Sequence, residues 1–371
     1  MRARSCLFLI VGLVTACGGS DETFAGEITA PVVYGADDRV EVYNHPDLEL
    51  REIARQSIVA LVPSFRVRRE SDGTHSLLTD SLKELRDLCD DESFGEQPTA
   101  ASCSGVLIDE DLVLTAGHCV DFGTRCDSYT FVFNYLYDEP GALAPIRDED
   151  VYACNRVVIR GSAVPGEFTP DFALIQLDRP VEGAQSPAVV RPATALTLAE
   201  RIAMIGFGSG LPAKIDSGGS VAEPRENTLD YFVANVDAFQ GHSGSATFDS
   251  ENRLAGILIG GRTPDYVQSE DGSCTRVSVY DDVDAGELVH NIAPIVASLC
   301  DEGWDSGLLC GPEACGGEPC GSSPLPSSTS SGIYPGETSG CSVSHAPTTA
   351  PIAWLALLFL GAALRLRRRA A

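Results

Sequence analysis

Between Ile58 and Leu299 the chain is assembled from many short apolar runs, each closed off by Gly, Pro, Asp or Ser. Examples are Ile58 to Val62, Gly105 to Ile108, Leu112 to Thr115, Tyr129 to Tyr135, Phe172 to Leu177, Ile202 to Phe207, Leu229 to Val236 and Ala255 to Ile259. Runs this short and this rich in Val, Ile, Leu, Phe and Tyr suit strands, whose pleated surface accepts branched and aromatic side chains. They do not alternate regularly with amphipathic helices, which favours an all-β sandwich or barrel over βαβ units. One helix is expected near the end of the region. Leu288, Ile292, Ile295, Val296 and Leu299 recur at helical intervals, and Pro294 either bends that helix or marks its start.

The two ends differ in composition from this middle. Arg2 and Arg4, an apolar run from Cys6 to Val14 and then small residues have the layout of an export signal over residues 1–17. Within it Val14-Thr15-Ala16-Cys17 resembles a bacterial lipobox, which implies Cys17 as the lipidated first residue; ordinary cleavage to a soluble product is the alternative. Residues 18–54 are acidic and polar and read as a leader or propeptide packed against the domain at 55–300, itself expected to divide near 185. Residues 301–349 form a stalk rich in Gly, Pro, Ser and Cys. In the final segment, 350–371, the apolar stretch Ile352 to Leu364 falls short of the ~20 residues of a spanning helix and precedes Arg365, Arg367, Arg368 and Arg369. With Gly340-Cys341-Ser342 upstream, this tail resembles the myxobacterial MYXO-CTERM sorting signal. That resemblance implies a cut near Cys341 and retention at the cell surface, with a plain tail anchor as the alternative.

Charge and cysteine content narrow the partners and the compartment. A formal charge of -27, from 26 basic against 53 acidic residues, repels phosphate backbones, so no nucleic-acid partner is expected. Of 13 cysteines, setting aside Cys6, Cys17 and Cys341 leaves an even number, enough for five disulfides in an oxidising compartment, with the pairing open. The expected location is therefore the bacterial envelope or outer surface, with membrane association through the N-terminal lipid, the C-terminal segment or both, or release outside. The histidines show no H-E-x-x-H pair, and the spacing of Cys310, Cys315 and Cys320 is wider than a zinc knuckle. No metal site and no cofactor are expected.

Three segments carry chemistry. A serine hydroxyl becomes a nucleophile at neutral pH when an imidazole takes its proton, and that imidazole needs a carboxylate to hold its tautomer and stabilise its charged form. Leu114-Thr115-Ala116-Gly117-His118-Cys119 offers the base, Asp171-Phe172-Ala173-Leu174 the carboxylate and Gly241-His242-Ser243-Gly244-Ser245 the nucleophile. Each is a weak signal by itself; their conjunction in one strand-rich chain is the signal.

In that order His118, Asp171 and Ser243 resemble the three signatures of trypsin-like serine proteases over roughly residues 55 to 300. The resemblance implies a chymotrypsin-like double antiparallel β-barrel with a C-terminal helix and the site in the cleft between barrels. It also implies an oxyanion hole from the amides of Gly241 and Ser243, a disulfide between Cys103 and Cys119, and a substrate-pairing edge at Ile259, Gly260 and Gly261. Asp237, six residues before Ser243, matches the position of a pocket-floor carboxylate that selects Arg or Lys. Two departures stand out: His242 replaces the usual Asp before the serine, and Phe239 replaces a pocket cysteine. The Ser-Gly-Ser ending resembles bacterial glutamyl endopeptidases, although those carry a His in the strand equivalent to Ile257-Leu258-Ile259, which this chain lacks.

The expectation is an exported serine endopeptidase acting on proteins or peptides. The competing expectation is a protease-fold surface binding protein whose chemistry His242 has impaired. An esterase built on the same three residues is a further alternative.

Overall fold

The computed structural model of the chain describes residues 33–120, 126–161, 170–261, 264–281 and 285–311. The signal and lipobox with Cys17, the sorting-signal tail and the stalk beyond 311 lie outside the described residues.

The short apolar runs become strands of two sheets. In the first, Ile58–Pro63, Cys103–Asp109, Leu112–Thr115, Tyr129–Val132, Val151–Arg160 and Ala173–Leu177 pair antiparallel into a closed six-stranded barrel. Closure leaves no open strand edge, and Val106, Leu114, Phe131 and Leu174 are buried with no exposure at all. The second is an eight-stranded antiparallel sheet. Its order is Val221–Glu223, Tyr231–Ala234, Glu287–Asn291, Leu254–Gly260, Ala246–Phe248, Ala203–Gly206, Lys214–Asp216 and Arg39–Glu41. Met204, Phe232, Val236, Leu258 and Val289 form its own core. The architecture is all-β, as expected of a chymotrypsin-like chain, with the first of the two expected barrels closed and the second an open sheet, and it ends in the expected helix, Ile292–Asp301.

Pro294 marks the start of that helix and does not bend it. Asn291 caps the first turn by accepting from Ala293 N, and a proline there removes only an N–H that has no helical partner anyway. Leu288, placed by its spacing on the helix face, belongs instead to the Glu287–Asn291 strand.

The stretch read as a leader is, from Val33 onward, part of the fold. Val33–Tyr34 pairs in parallel with Val279–Tyr280, and Arg39–Glu41 is an edge strand of the second sheet against Lys214–Asp216. The helix Leu48–Gln56, capped by the Asp47 side chain, then leads into the first barrel and buries Leu50 and Ala54. Strands of two and three residues are too short to show periodicity, which is why composition alone reads the segment as polar leader.

Among the described residues four disulfides join Cys89 to Cys274, Cys103 to Cys119, Cys126 to Cys154 and Cys300 to Cys310. Such a set belongs with an oxidising, extracytoplasmic compartment. Cys315 and Cys320, counted toward a fifth bridge, lie outside the described residues.

Candidate active site

His118 sits in the Gly117–Cys119 turn that ends the Leu112–Thr115 strand, and Asp171 stands two residues before Ala173–Leu177. Those two strands are direct neighbours in the barrel, with Thr115 opposite Ala173, so residues 53 apart in sequence emerge side by side. Asp171 Oδ1 accepts the backbone N–H of His118 at 2.8 Å and Oδ2 lies 2.6 Å from Nδ1. The carboxylate thus fixes both the backbone and the ring of the same residue. With Nδ1 donating to Asp171, Nε2 is left as an acceptor, and it lies 2.7 Å from Ser243 Oγ. The expected Cys103–Cys119 bridge closes a short loop next to the base and contributes about 3 kcal/mol by the loop-entropy estimate.

Ser243 comes from the other sheet, at the end of the loop that begins at Asp237. Ser104 N donates to the Ser243 carbonyl at 2.8 Å and Ser104 Oγ to that of Gly241 at 2.8 Å, which ties this loop to the first barrel. Gly241 has φ +104°, and a Cβ there would lie 2.7 Å from the Phe207 carbonyl, so glycine is required. The Gln240 carbonyl accepts Ser209 N at 2.6 Å. In a trans peptide the N–H points opposite to the carbonyl, so this bond turns the Gly241 amide away from Ser209. Among the described residues neither the Gly241 nor the Ser243 amide has an acceptor, and both residues line the cleft. The pair is placed to receive a developing oxyanion.

His242, the main departure in the motif, is buried and built into the turn. Its Nδ1 accepts Phe239 N at 3.0 Å and its own N–H donates to the Phe239 carbonyl at 2.8 Å. The ring rests on Gly208, where a Cβ would lie 2.7 Å from Nε2. Burial, with Arg39 and Lys214 nearby, pushes its pKa down to about 3. The imidazole is therefore neutral, as its acceptor role requires.

Asp237 requires a correction. Expected on a pocket floor, it is 2% exposed and does not line the cleft. Its Oδ1 accepts Tyr34 N at 2.9 Å and its Oδ2 accepts Asp38 N at 2.8 Å, while its own N–H donates to Asp216 Oδ2 at 2.7 Å. Burial and then the adjacent Asp216 raise its pKa well above the carboxylate range. The segment read as leader supplies the hydrogen-bond partners of both carboxylate oxygens. Of Ile259, Gly260 and Gly261, Ile259 lines the cleft; Gly260 closes its strand, and Gly261 backs onto Glu287, whose carboxylate a Cβ would strike.

The cleft holding Ser243 and His118 has a volume of about 720 Å³, and part of its wall had no sequence signature. Arg86 Nη2 donates to Gln240 Oε1 at 2.7 Å, Asp265 Oδ2 accepts Gln240 N at 2.9 Å, and the Tyr266 hydroxyl pairs with Ser209 Oγ at 2.6 Å. Asp265 is the one carboxylate among the described lining residues, and burial raises its pKa to about 7. The wall joins the helix Leu82–Arg86 to the hairpin Tyr266–Gln268 and Thr275–Val277 through the Cys89–Cys274 bridge, whose ends are 185 residues apart. An even cysteine count was the sole hint of it.

Cys103, His118 and Cys119 are grouped closely enough to suggest metal ligands. Both sulfurs are in a disulfide, however, and both ring nitrogens are engaged, so the group does not fit an ion.

Residues 103–257 match the family model described as a trypsin-like peptidase domain. Among solved structures, one titled as a Glu endopeptidase in complex with MPD is similar over 74% of this chain and 100% of its own, at 18% identity and a TM-score of 0.42. No curated protein matches the sequence.

Proposed function

We propose that the chain, whose residues 103–257 match a trypsin-like peptidase domain, is an exported endopeptidase that cleaves protein or peptide substrates through an acyl-enzyme. The observation that carries this reading is the unbroken line from Asp171 to His118 at 2.6 Å and from His118 to Ser243 at 2.7 Å. Ser243 Oγ attacks the scissile carbonyl while His118 Nε2 takes its proton, and Asp171 stabilises the imidazolium. The amides of Gly241 and Ser243 bind the oxyanion, each such donor being worth about 3 kcal/mol in the transition state. The imidazolium returns the proton to the leaving amine, the C–N bond breaks, and water activated by the same His118 hydrolyses the ester. No step calls for a cofactor.

A preference for Arg or Lys before the scissile bond rests, in this reading, on Asp265 in place of Asp237. Export follows from the signal layout and agrees with the disulfides; attachment through Cys17 or the C-terminal segment belongs to the same proposal. The seated, hydrogen-bonded His242 favours activity over the binding-protein alternative. Hydrolysis of matched peptide and ester substrates by the purified protein, with Ser243→Ala as control, tests the reading. Turnover of peptides that vanishes in the variant is expected; folded protein that hydrolyses neither substrate would favour the binding module, and ester turnover alone the esterase.

A further inference from the structure

The loop from Asp237 to Ser243 carries the nucleophile and both oxyanion amides, yet among the described residues no disulfide reaches it. What encloses it is the N-terminal stretch 34–39. The amides of Tyr34 and Asp38 grip the Asp237 carboxylate from two sides. The Arg39 guanidinium lies 3.9 Å from the centre of the Phe239 ring, and its side chain is only 2% exposed. A second ring, Phe94, lies 5.1 Å from the same guanidinium. Asp37 holds that guanidinium with two parallel bonds, Nε to Oδ1 at 2.8 Å and Nη2 to Oδ2 at 2.7 Å. Phe239 in turn bonds through its N–H and its carbonyl to His242, the residue before the nucleophile.

We propose that Arg39 is a positioning residue for the oxyanion site: clamped by Asp37, it presses on Phe239 and so fixes the turn that presents the Gly241 and Ser243 amides. A buried cation over an aromatic face, already paired with its own carboxylate, is a stiff contact, because movement of the ring would break an attraction unscreened by water. The contact adds nothing to substrate binding, since neither Arg39 nor Phe239 lines the cleft. Its loss therefore acts on the transition state and leaves the ground state nearly alone. The edge strand that begins at Arg39 anchors the segment to Lys214–Asp216, so the clamp belongs to the fold and needs no newly formed chain terminus.

The inference rests on the peptidase reading, and the experiment separates the two. In the full chain, kcat and KM are measured for wild type, Arg39→Leu, Phe239→Leu, the double variant and Arg39→Lys, with the unfolding midpoint of each. The expected result is a tenfold or larger fall in kcat for each leucine variant, KM within about threefold, and a double variant no worse than the poorer single one. Arg39→Lys, which keeps a cation near the ring but cannot make the two parallel bonds to Asp37, should recover only part of the loss. Additive losses, or variants that unfold more easily yet keep wild-type kcat in the folded fraction, would overturn the clamp. An inactive wild type would instead overturn the peptidase reading itself.

Discussion

The two sides of the active site are held by different means. The His118 side is local and covalent: a disulfide across a short loop, neighbouring barrel strands and one carboxylate that grips both backbone and ring. The Ser243 side is non-local and non-covalent, its loop held by Ser104 from the first barrel, the buried His242 and a segment about 200 residues earlier in the chain. Apart from the three reacting side chains themselves, loss of the disulfide on the first side should appear mainly as lost stability, and loss of the Arg39 contact on the second mainly as lost turnover.

The largest effect should come from breaking the meeting point of the two sides. Asp171→Asn leaves the geometry but spoils the tautomer of His118, and kcat should fall by about 10⁴. His118→Ala should cost at least as much, and the double variant little more, because the residues act as a unit. Steady-state kinetics at saturating peptide would check both.

Next in size is the covalent side. Replacing Cys103 and Cys119 by Ala should lower unfolding free energy by about 3 kcal/mol while the folded fraction keeps most of its kcat. Denaturant titration paired with active-site counting measures the two separately. A large fall in kcat without loss of stability would erase the contrast between the sides.

For His242 the effect is small near neutral pH and grows in acid. Its folded pKa, about 3, lies below its ordinary value of 6.5. Between those values the unfolded chain binds a proton that the folded one does not. The folded state is thus unaffected above pH 6.5 and loses up to about 1.4 kcal/mol per pH unit as pH falls toward 3. His242→Asn keeps an acceptor for Phe239 N and removes the titration, so its acid unfolding midpoint should move to lower pH. An unchanged acid midpoint would mean that the imidazole is not held neutral.

The smallest effect concerns the cleft wall. Because the Asp265 carboxyl is raised to about 7, it is neutral below that pH and negative above it. Attraction for a cationic side chain should grow as pH rises through 7, while Arg86 on the same wall opposes it. A shift of less than about tenfold in the ratio of kcat/KM for basic against neutral substrates is expected, abolished in Asp265→Asn, which still accepts Gln240 N. A ratio flat with pH in wild type would remove Asp265 from specificity.

The same contrast explains what the sequence made legible. Thr115-Ala116-Gly117-His118-Cys119 and Asp171-Phe172-Ala173-Leu174 are strand ends whose function is written in adjacent residues, and so is the glycine at 241. The first barrel is legible for the same reason, since its strands are long enough to show their composition. Asp237 misled because its offset from Ser243 says nothing of Tyr34 and Asp38, which meet it only after folding. Arg39 and the Arg86 to Tyr266 wall were invisible on similar grounds: their partners lie in strands of two or three residues or across a disulfide spanning most of the domain. Pro294 was half-read, since a proline signals both a break and a first turn until the capping Asn291 decides between them.

The central claim is that Ser243 is activated by His118 within an assembled site. The most direct test is reaction of the purified protein with a fluorophosphonate probe, followed by peptide mapping, with Ser243→Ala and His118→Ala alongside. The account predicts a single modified peptide, carrying the adduct on Ser243 and absent from both variants. No adduct on wild-type protein that is folded, or labelling that survives Ser243→Ala, would contradict it.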